Sequence, residues 1–267
     1  MTFEDVCVML REAGIEDYRF EARVLLEEFC GYASENCSYD CPALERAVQK
    51  RAQRYPLQYI IGKWEFCGFE FCVSEDCLIP RPDTEIVVEQ AIKLIPSNAR
   101  VADLCAGSGC IGISLLKFCN DAFCDAVELY PKTLDIAKKN AEMNCVLDRY
   151  AITLGDVLNG EGLPEAEYDV IISNPPYIKS NVVKTLSPEV MHEPKAALDG
   201  GEDGLIFYRA ILDKYAHKLK PTGVFLFEIG YDQARGIIEL CEQRDMSCKI
   251  IKDLGGRDRV ALIRQQN

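Results

Sequence analysis

No apolar run in this sequence approaches the roughly 20 residues that a membrane-spanning helix needs. The longest runs are short, such as Tyr168 to Ile172, and even that one contains an acid. Histidine is nearly absent, with only His192 and His217, and none of the 14 cysteines forms a C-x-x-C pair. Cys67, Cys72 and Cys77 recur every five residues, a spacing that suits no zinc site. No metal centre is expected. Positive charge is short as well: 30 Lys and Arg against 43 Asp and Glu leave a formal charge of −13. A protein gripping a long polyanion pairs its phosphates with Lys and Arg. This balance therefore weighs against DNA or RNA as the main substrate and favours a protein partner with basic patches. The N-terminus, MTFEDVCVML, places acids where a secretory signal needs a positive region. A cytosolic protein with reduced thiols acting as small buried hydrophobes is expected, with no membrane association.

What is present is a chain of 267 residues, 48% apolar, long enough for one large α/β domain and a small appendage. Residues 1–80 read as a small helical module with a linking hairpin. Thr2 and Asp5 have capping-box spacing and Gly14 is a plausible stop. A second helix spans Tyr18 to Cys30, with Ala22, Leu25, Leu26 and Phe29 as its apolar stripe and Gly31 as its end. A third spans Pro42 to Arg54, with Arg46, Lys50 and Arg54 on one face. That face reads as solvated, or as a contact surface for a partner. Trp64 to Val73 reads as a hairpin turning near Cys67-Gly68.

Residues 81–267 read as the main domain. From Arg100 onward strands and helices alternate. Strands are expected at Val101–Leu104, Phe123–Glu128, Tyr150–Leu154, Tyr168–Ser173 and Val224–Ile229. Helices are expected at Gly109–Phe118, Pro131–Met143, Leu205–Leu219 and Gln233–Glu242, with a turn at Pro221-Thr222-Gly223. The strand Tyr168–Ser173 is apolar on both faces and should be central and parallel. Ser247–Ile251 and Arg259–Ile263 are joined by a link too short for a parallel crossover. They are expected to be antiparallel neighbours, so that one antiparallel strand closes a mostly parallel, doubly wound, seven-stranded α/β sheet.

Two motifs carry chemistry. In VADLCAGSGCIGISLL, Asp103 ends a strand, Gly107 and Gly109 form the turn, and Gly109 opens a helix. Missing Cβ atoms let a ligand approach the backbone. Glu128, 21 residues after Gly107, ends the next strand, where a carboxylate can accept both hydroxyls of a ribose. Gly107, Gly109 and Gly112 also match the dinucleotide pattern G-x-G-x-x-G, so this motif indicates a nucleoside cofactor without deciding between NAD and S-adenosylmethionine.

The second motif, Asn174-Pro175-Pro176-Tyr177, follows the central strand. The prolines remove two backbone donors and fix two φ angles. The Asn174 side-chain oxygen and the Pro175 carbonyl can each accept one N–H of a planar NH2 group, holding its nitrogen against an electrophilic methyl. A cationic sulfonium prefers such a site free of other cations. Hydride transfer needs no amide clamp, and two histidines offer an oxidoreductase little acid–base chemistry.

The blocks PLQYIIGKWEFCGFEF, LIPRPDTE, DLCAGSGCIGISL, SNPPYI, EP-x-x-AL-x-GG-x-DGL and DLGGRDRVAL, from Pro56 onward, resemble the release factor glutamine N5-methyltransferase family. The resemblance implies a Rossmann-like class I S-adenosylmethionine-dependent methyltransferase domain behind a substrate-gripping helical domain. It also implies methyl transfer to the glutamine of the Gly-Gly-Gln motif of bacterial class I release factors. The family's cofactor loop maps onto Cys105, Ala106, Gly107, Ser108 and Gly109, where Cys105 and Ala106 replace the usual Gly-Thr. Its ribose acid, usually Asp, is Glu128. Its adenine-side Asp and aromatic map onto Asp156 and Val157, and its substrate clamp onto Asn174, Pro175, Pro176 and Tyr177 unchanged. Arg81, Pro82 and Glu85 fall in a loop that the family places near the cofactor. Asp83 and Thr84 read as a helix N-cap, and Arg81 as an anchor for a carboxylate or substrate. A monomer is expected. The rivals are a ribosomal-protein glutamine methyltransferase, disfavoured by the RPDTE block, and an adenine-N6 DNA methyltransferase, disfavoured by the charge. A non-catalytic binding protein is disfavoured by retention of both motifs.

Overall fold

The computed structural model describes residues 1–34 and 37–266. Three helices open the chain: α1 (Phe3–Glu12), α2 (Tyr18–Cys30) and α3 (Pro42–Ala52). The capping box of α1 forms, with Asp5 N–H on Thr2 Oγ1 at 3.1 Å and Thr2 N–H on Asp5 Oδ2 at 2.7 Å. Gly31 ends α2 in the left-handed region at φ 80°, which glycine adopts without a Cβ penalty. Phe3, Val6, Leu10, Leu25, Leu26, Leu44 and Val48 make a separate apolar core between these helices. Helix α3 stops two residues short of Arg54, which sits at φ 66° and leaves the Arg46–Lys50 face. Arg54 turns inward, donating to Gly14 O at 2.7 Å and pairing with Glu189 at 2.6 Å, rather than standing on a solvated face.

A short α4 (Leu57–Ile61) precedes the hairpin β1 (Lys63–Phe66) and β2 (Phe69–Cys72). Phe66 and Phe71 bury in the main-domain core while Trp64 packs against the core of the first helices, so the hairpin joins the two. Then come α5 (Glu85–Ile92), β3 (Arg100–Leu104), α6 (Cys110–Phe118), β4 (Phe123–Glu128), α7 (Pro131–Met143), β5 (Tyr150–Leu154) and β6 (Tyr168–Ser173). They are followed by α8 (Ser180–Val183), α9 (Ile206–Tyr215), β7 (Leu219–Glu228), α10 (Ala234–Glu242), β8 (Met246–Lys252) and β9 (Asp258–Gln265). Asn140 and Asn144, one turn apart on α7, bind the β2 edge: Asn140 takes Cys72 N–H at 2.7 Å and Asn144 donates to Glu70 O at 3.0 Å.

The seven-stranded sheet has the order β5-β4-β3-β6-β7-β9-β8. As expected, β6 is central and buried on both faces. Val170 and Ile172 enter one core with α5 and α6, while Tyr168 and Ile171 enter the other with α9 and α10. Two expectations are corrected. The antiparallel strand is β9, and it lies between β7 and β8 rather than closing the sheet edge. Pro221-Thr222-Gly223 is not a free turn but lies within β7, in an interruption of pairing where Tyr168 faces Leu219 and Val170 already faces Val224. Proline cannot donate to a ladder, and the interruption removes the need. Successive strands run outward from β3 in one direction and from β6 in the other, so the winding reverses between them. The crevice at the carboxyl ends of β3 and β6 is therefore where such a sheet receives ligands.

Candidate active site

Both motifs meet in that crevice. After β3 the chain turns through Cys105 at φ 61°, Gly107 at φ 57° and Gly109 at φ 78° before α6 begins. Cys105 holds a left-handed conformation, which costs a cysteine of the order of 1–2 kcal/mol. A Cβ on Gly109 would sit 2.8 Å from Ile113 Cδ1 and 2.8 Å from the Tyr150 hydroxyl, so this glycine serves packing as well as the turn.

Glu128 ends β4 almost fully buried. Its Oε2 accepts Gly107 N–H at 2.9 Å, and its Oε1 accepts Leu129 N–H at 2.8 Å and Tyr130 N–H at 3.0 Å. A carboxylate has about four acceptor positions. One therefore remains, on Oε2. Asp103 lies elsewhere than expected. It is 1% exposed beneath the loop, takes Gly112 N–H on Oδ2 at 3.0 Å, and does not line the cleft. Burial, opposed by the Gly112 bond and reinforced by Glu128, pushes its carboxyl up to about 7.

The cleft encloses about 910 Å³ including its mouth. Cys105, Ala106, Gly107, Ser108, Glu128, Asp156, Val157 and Asn174 line it, together with Phe207, which the sequence reading missed. Asp156 caps the turn after β5, accepting Leu158 N–H at 2.8 Å, and Val157 forms an apolar wall. Helix α9, which carries Phe207, packs on that same turn and brings an aromatic ring to a cleft whose residue 157 has none. Among the described residues three acids, Asp76, Glu128 and Asp156, line the cleft against one arginine, Arg81. That arginine is already paired with Glu193, which also accepts Ile79 N–H at 3.2 Å. The carboxylate that Arg81 anchors thus belongs to the chain itself.

Asn174 stands between this cleft and a second hollow lined by Pro175, Tyr177, Leu186, Val190 and Glu228. Pro176 faces the first cleft. The Asn174 Nδ2 donates to Thr84 Oγ1 at 3.2 Å, which leaves Oδ1 as its free acceptor. Thr84 stands at the N-cap position of α5, but its backbone is helical and its side chain makes no capping bond. Asp83 does not cap the helix either, because it pairs with Arg259 at 2.9 Å. The Tyr177 hydroxyl donates to Glu228 Oε1 at 3.2 Å, and burial first and the Glu228 charge second push its phenol up, so it stays a donor. Behind the clamp, Gly200 N–H binds Ile178 O at 2.8 Å and Gln233 Nε2 binds Tyr177 O at 3.0 Å. The signal for Glu228 was present in the run VFLFE: like Glu128, it is an acid closing a buried parallel strand.

The chain matches the methyltransferase small domain family over residues 83–220. The release factor glutamine methyltransferase of Geobacter sulfurreducens is 38% identical over 262 residues, spanning 94% of this chain and 91% of that protein. That of Caulobacter vibrioides is 35% identical over 266 residues, spanning 95% and 91%. Among solved structures, a methyltransferase from Pyrococcus furiosus shares the fold with a TM-score of 0.57 at 21% identity, covering 74% of this chain and 89% of that one. On identity sustained over nearly its whole length, the chain belongs to the release factor glutamine methyltransferase family.

Proposed function

We propose that this protein transfers a methyl group from S-adenosylmethionine to the side-chain amide nitrogen of the glutamine in the Gly-Gly-Gln motif of class I release factors. The observation that carries the reading is Asn174, held by Thr84 with its oxygen free, in the wall between the cofactor cleft and the second hollow. The acid-rich lining of the cleft fits a cationic sulfonium. When bound, S-adenosylmethionine supplies the electrophilic methyl. Glu128 would offer its remaining acceptor to the ribose, Asp156 and the Val157 and Phe207 walls would hold the adenine, and the Gly107–Ser108 backbone would face the remainder.

The chain's own residues then do one task, which is positioning. An amide nitrogen is a weak nucleophile because its lone pair is delocalised. Asn174 Oδ1 and the Pro175 carbonyl each accept one of its hydrogens, and Tyr177 supplies a flat wall. Fixing the nitrogen within a near-attack distance of about 3–3.5 Å recovers much of the barrier. Residues 1–80 are assigned the gripping of the release factor. In support, Arg51 and Arg54 of that module hold Glu189, next to Val190 of the substrate hollow, at 3.1 and 2.6 Å. The enzyme acts in the cytosol as a monomer.

The test is intact-mass analysis of a bacterial release factor incubated with the enzyme and S-adenosylmethionine. A gain of about 14 Da, one CH2, on the Gly-Gly-Gln glutamine is expected from the positioned amide. It is expected to vanish with Asn174→Ala while calorimetry still detects cofactor binding. Cofactor binding without any mass gain by the unaltered enzyme would send the substrate assignment to another protein.

A further inference from the structure

Between Tyr177 and Gly200 the chain supplies walls to both cavities. Leu186, Val190, Ala197 and Leu198 line the substrate hollow, and Pro194, Ala196 and Ala197 line the cofactor cleft. It does so without a buried apolar anchor of its own. From Lys184 to Ala197 the one buried residue is an acid, Glu193, at 4% exposure. The regular structure in that stretch is two single 3-10 turns, Val190–His192 and Lys195–Ala197. A segment with so few buried apolar contacts opens easily unless something else holds it.

Two carboxylates hold it. Arg54 grips Glu189 as a fork, with its Nε 2.6 Å from Oε1 and its Nη2 donating to Oε2 at 2.9 Å. Arg51 Nη1 donates to the same Oε1 at 3.1 Å. A forked contact fixes angle as well as distance. Both arginines are themselves fixed within the helical module. Arg51 is 5% exposed and is also held by Glu21 of α2 at 2.5 Å, and Arg54 donates to Gly14 O at 2.7 Å. Beside them the Tyr55 ring meets the His192 ring edge-on, with centroids 5.2 Å apart. Glu193 is tied elsewhere. It accepts Ile79 N–H at 3.2 Å and pairs with Arg81, and Leu78, Pro80 and Arg81 belong to the cleft wall. The two fastenings therefore act on different neighbours: Glu189 adjoins Val190 of the hollow, and Glu193 adjoins Pro194 of the cleft.

We propose that Glu189 is a positioning residue for the substrate: gripped by Arg51 and Arg54, it fixes the Leu186 and Val190 wall of the hollow and couples the helical module to substrate fit, while Glu193 holds the cofactor side of the same segment. The inference rests on the release-factor reading for its effect on turnover, but not for the fastening itself.

Glu189→Gln keeps the shape of the side chain and removes its charge, and Arg51 retains Glu21. KM for the release factor is expected to rise about tenfold, the scale of one lost charge-assisted hydrogen bond, with cofactor affinity by calorimetry unchanged. Arg54→Gln is expected to act likewise, and the double variant to raise KM by less than the product of the two single effects. Glu193→Gln is expected to weaken cofactor binding instead. A merely structural role would lower stability without separating the two ligands. Hydrogen exchange tests the fastening with no substrate present. Met191 N–H, on Ser187 O at 3.1 Å, and Glu193 N–H, on Val190 O at 3.0 Å, are expected to exchange faster in Glu189→Gln and in Arg54→Gln, with β6 unchanged. If the unaltered enzyme fails to methylate while this exchange pattern holds, the release-factor reading falls and the fastening stands. Unchanged exchange of both amides in the two variants, or an unaltered KM in folded Glu189→Gln, overturns the proposal.

Discussion

Asp103→Asn isolates the charge of one buried group. The carboxyl sits beneath the cofactor loop with one oxygen on Gly112 N–H at 3.0 Å and the other without a partner. Burial, with Glu128 adding and Gly112 opposing, raises its pKa to about 7 in the folded chain, against about 3.9 when unfolded. A carboxyl raised on folding contributes stability that is fully present below the unfolded pKa and is lost as pH climbs through the folded one. The full interval is about three pH units, or roughly 4 kcal/mol, of which about 3 kcal/mol falls between about pH 5 and pH 8.5. Asparagine never ionises, and its oxygen can take the same Gly112 N–H. Urea denaturation of both proteins at these two pH values reads the difference directly. The stability of Asp103→Asn relative to the unaltered chain is expected to rise by roughly 2–3 kcal/mol from the lower to the higher pH. A difference that does not change with pH would mean that Asp103 titrates as an ordinary exposed acid, and the burial argument would be wrong.

Three further outcomes follow from named contacts. Glu128→Ala removes the acceptor of three backbone N–H groups and, under the proposed function, of the ribose; cofactor affinity by calorimetry is expected to fall by about tenfold or more, and unchanged affinity would refute the ribose assignment. Arg51 is buried with Glu21 at 2.5 Å and Glu189 at 3.1 Å. Arg51→Ala is expected to cost about 3 kcal/mol in chemical denaturation, because Glu21 loses its partner, while a loss under about 1 kcal/mol would place this pair among ordinary surface bridges. A Cβ on Gly200 would lie 2.7 Å from both Pro176 O and Tyr177 Cα, atoms of the clamp backbone. Gly200→Ala is expected to lower kcat by about 100-fold with cofactor binding retained, and an unaltered rate would show that the clamp tolerates displacement.

Where the chain is periodic and bounded by Gly or Pro, its elements were legible to the residue, as at β4, β5, β6 and α7. Helix α4 was not, because five residues are too few to show a helical period. That β8 and β9 pair was legible from their short link. Which of them joins β7 was not: β9, buried in a row from Arg259 to Ala261, takes the place beside β7, and β8, buried only at Met246, takes the edge. The lining of the cleft was legible where a motif is contiguous in sequence, as at Cys105–Ser108 and Asp156–Val157. Asp103 was misplaced although a signal existed: strand residues alternate, and Val101, two positions earlier, faces the α6 core rather than the cleft. Thr84 and Glu228 escaped for a different reason. Their contacts with the clamp exist only after folding brings together residues separated by 90 and 51 positions, as the Asn174–Thr84 and Tyr177–Glu228 bonds do.

The carboxyl ends of the parallel strands show why the clamp residue is an amide. β3 carries Asp103, β4 ends in Glu128, β5 is followed by Asp156 and β7 ends in Glu228. Three of these acids first serve the loops, accepting N–H groups of Gly112, of Gly107 with Leu129 and Tyr130, and of Leu158. Glu228 accepts from a side chain, Tyr177. An acceptor is what a glycine-rich turn needs, because such turns present donors. β6 is the exception, followed by Asn174, which donates to Thr84 and, under the proposed function, would accept from a substrate N–H on the other side. A carboxylate has no hydrogen to give, and a hydroxyl is too short to span both directions. Among the polar side chains of that length only an amide carries a donor and an acceptor fixed at opposite corners of one plane. Asn174→Asp, nearly identical in shape, is therefore expected to lose the bond to Thr84 and to lower kcat with cofactor affinity by calorimetry retained, and an unaltered rate would show that the amide hydrogens are not needed.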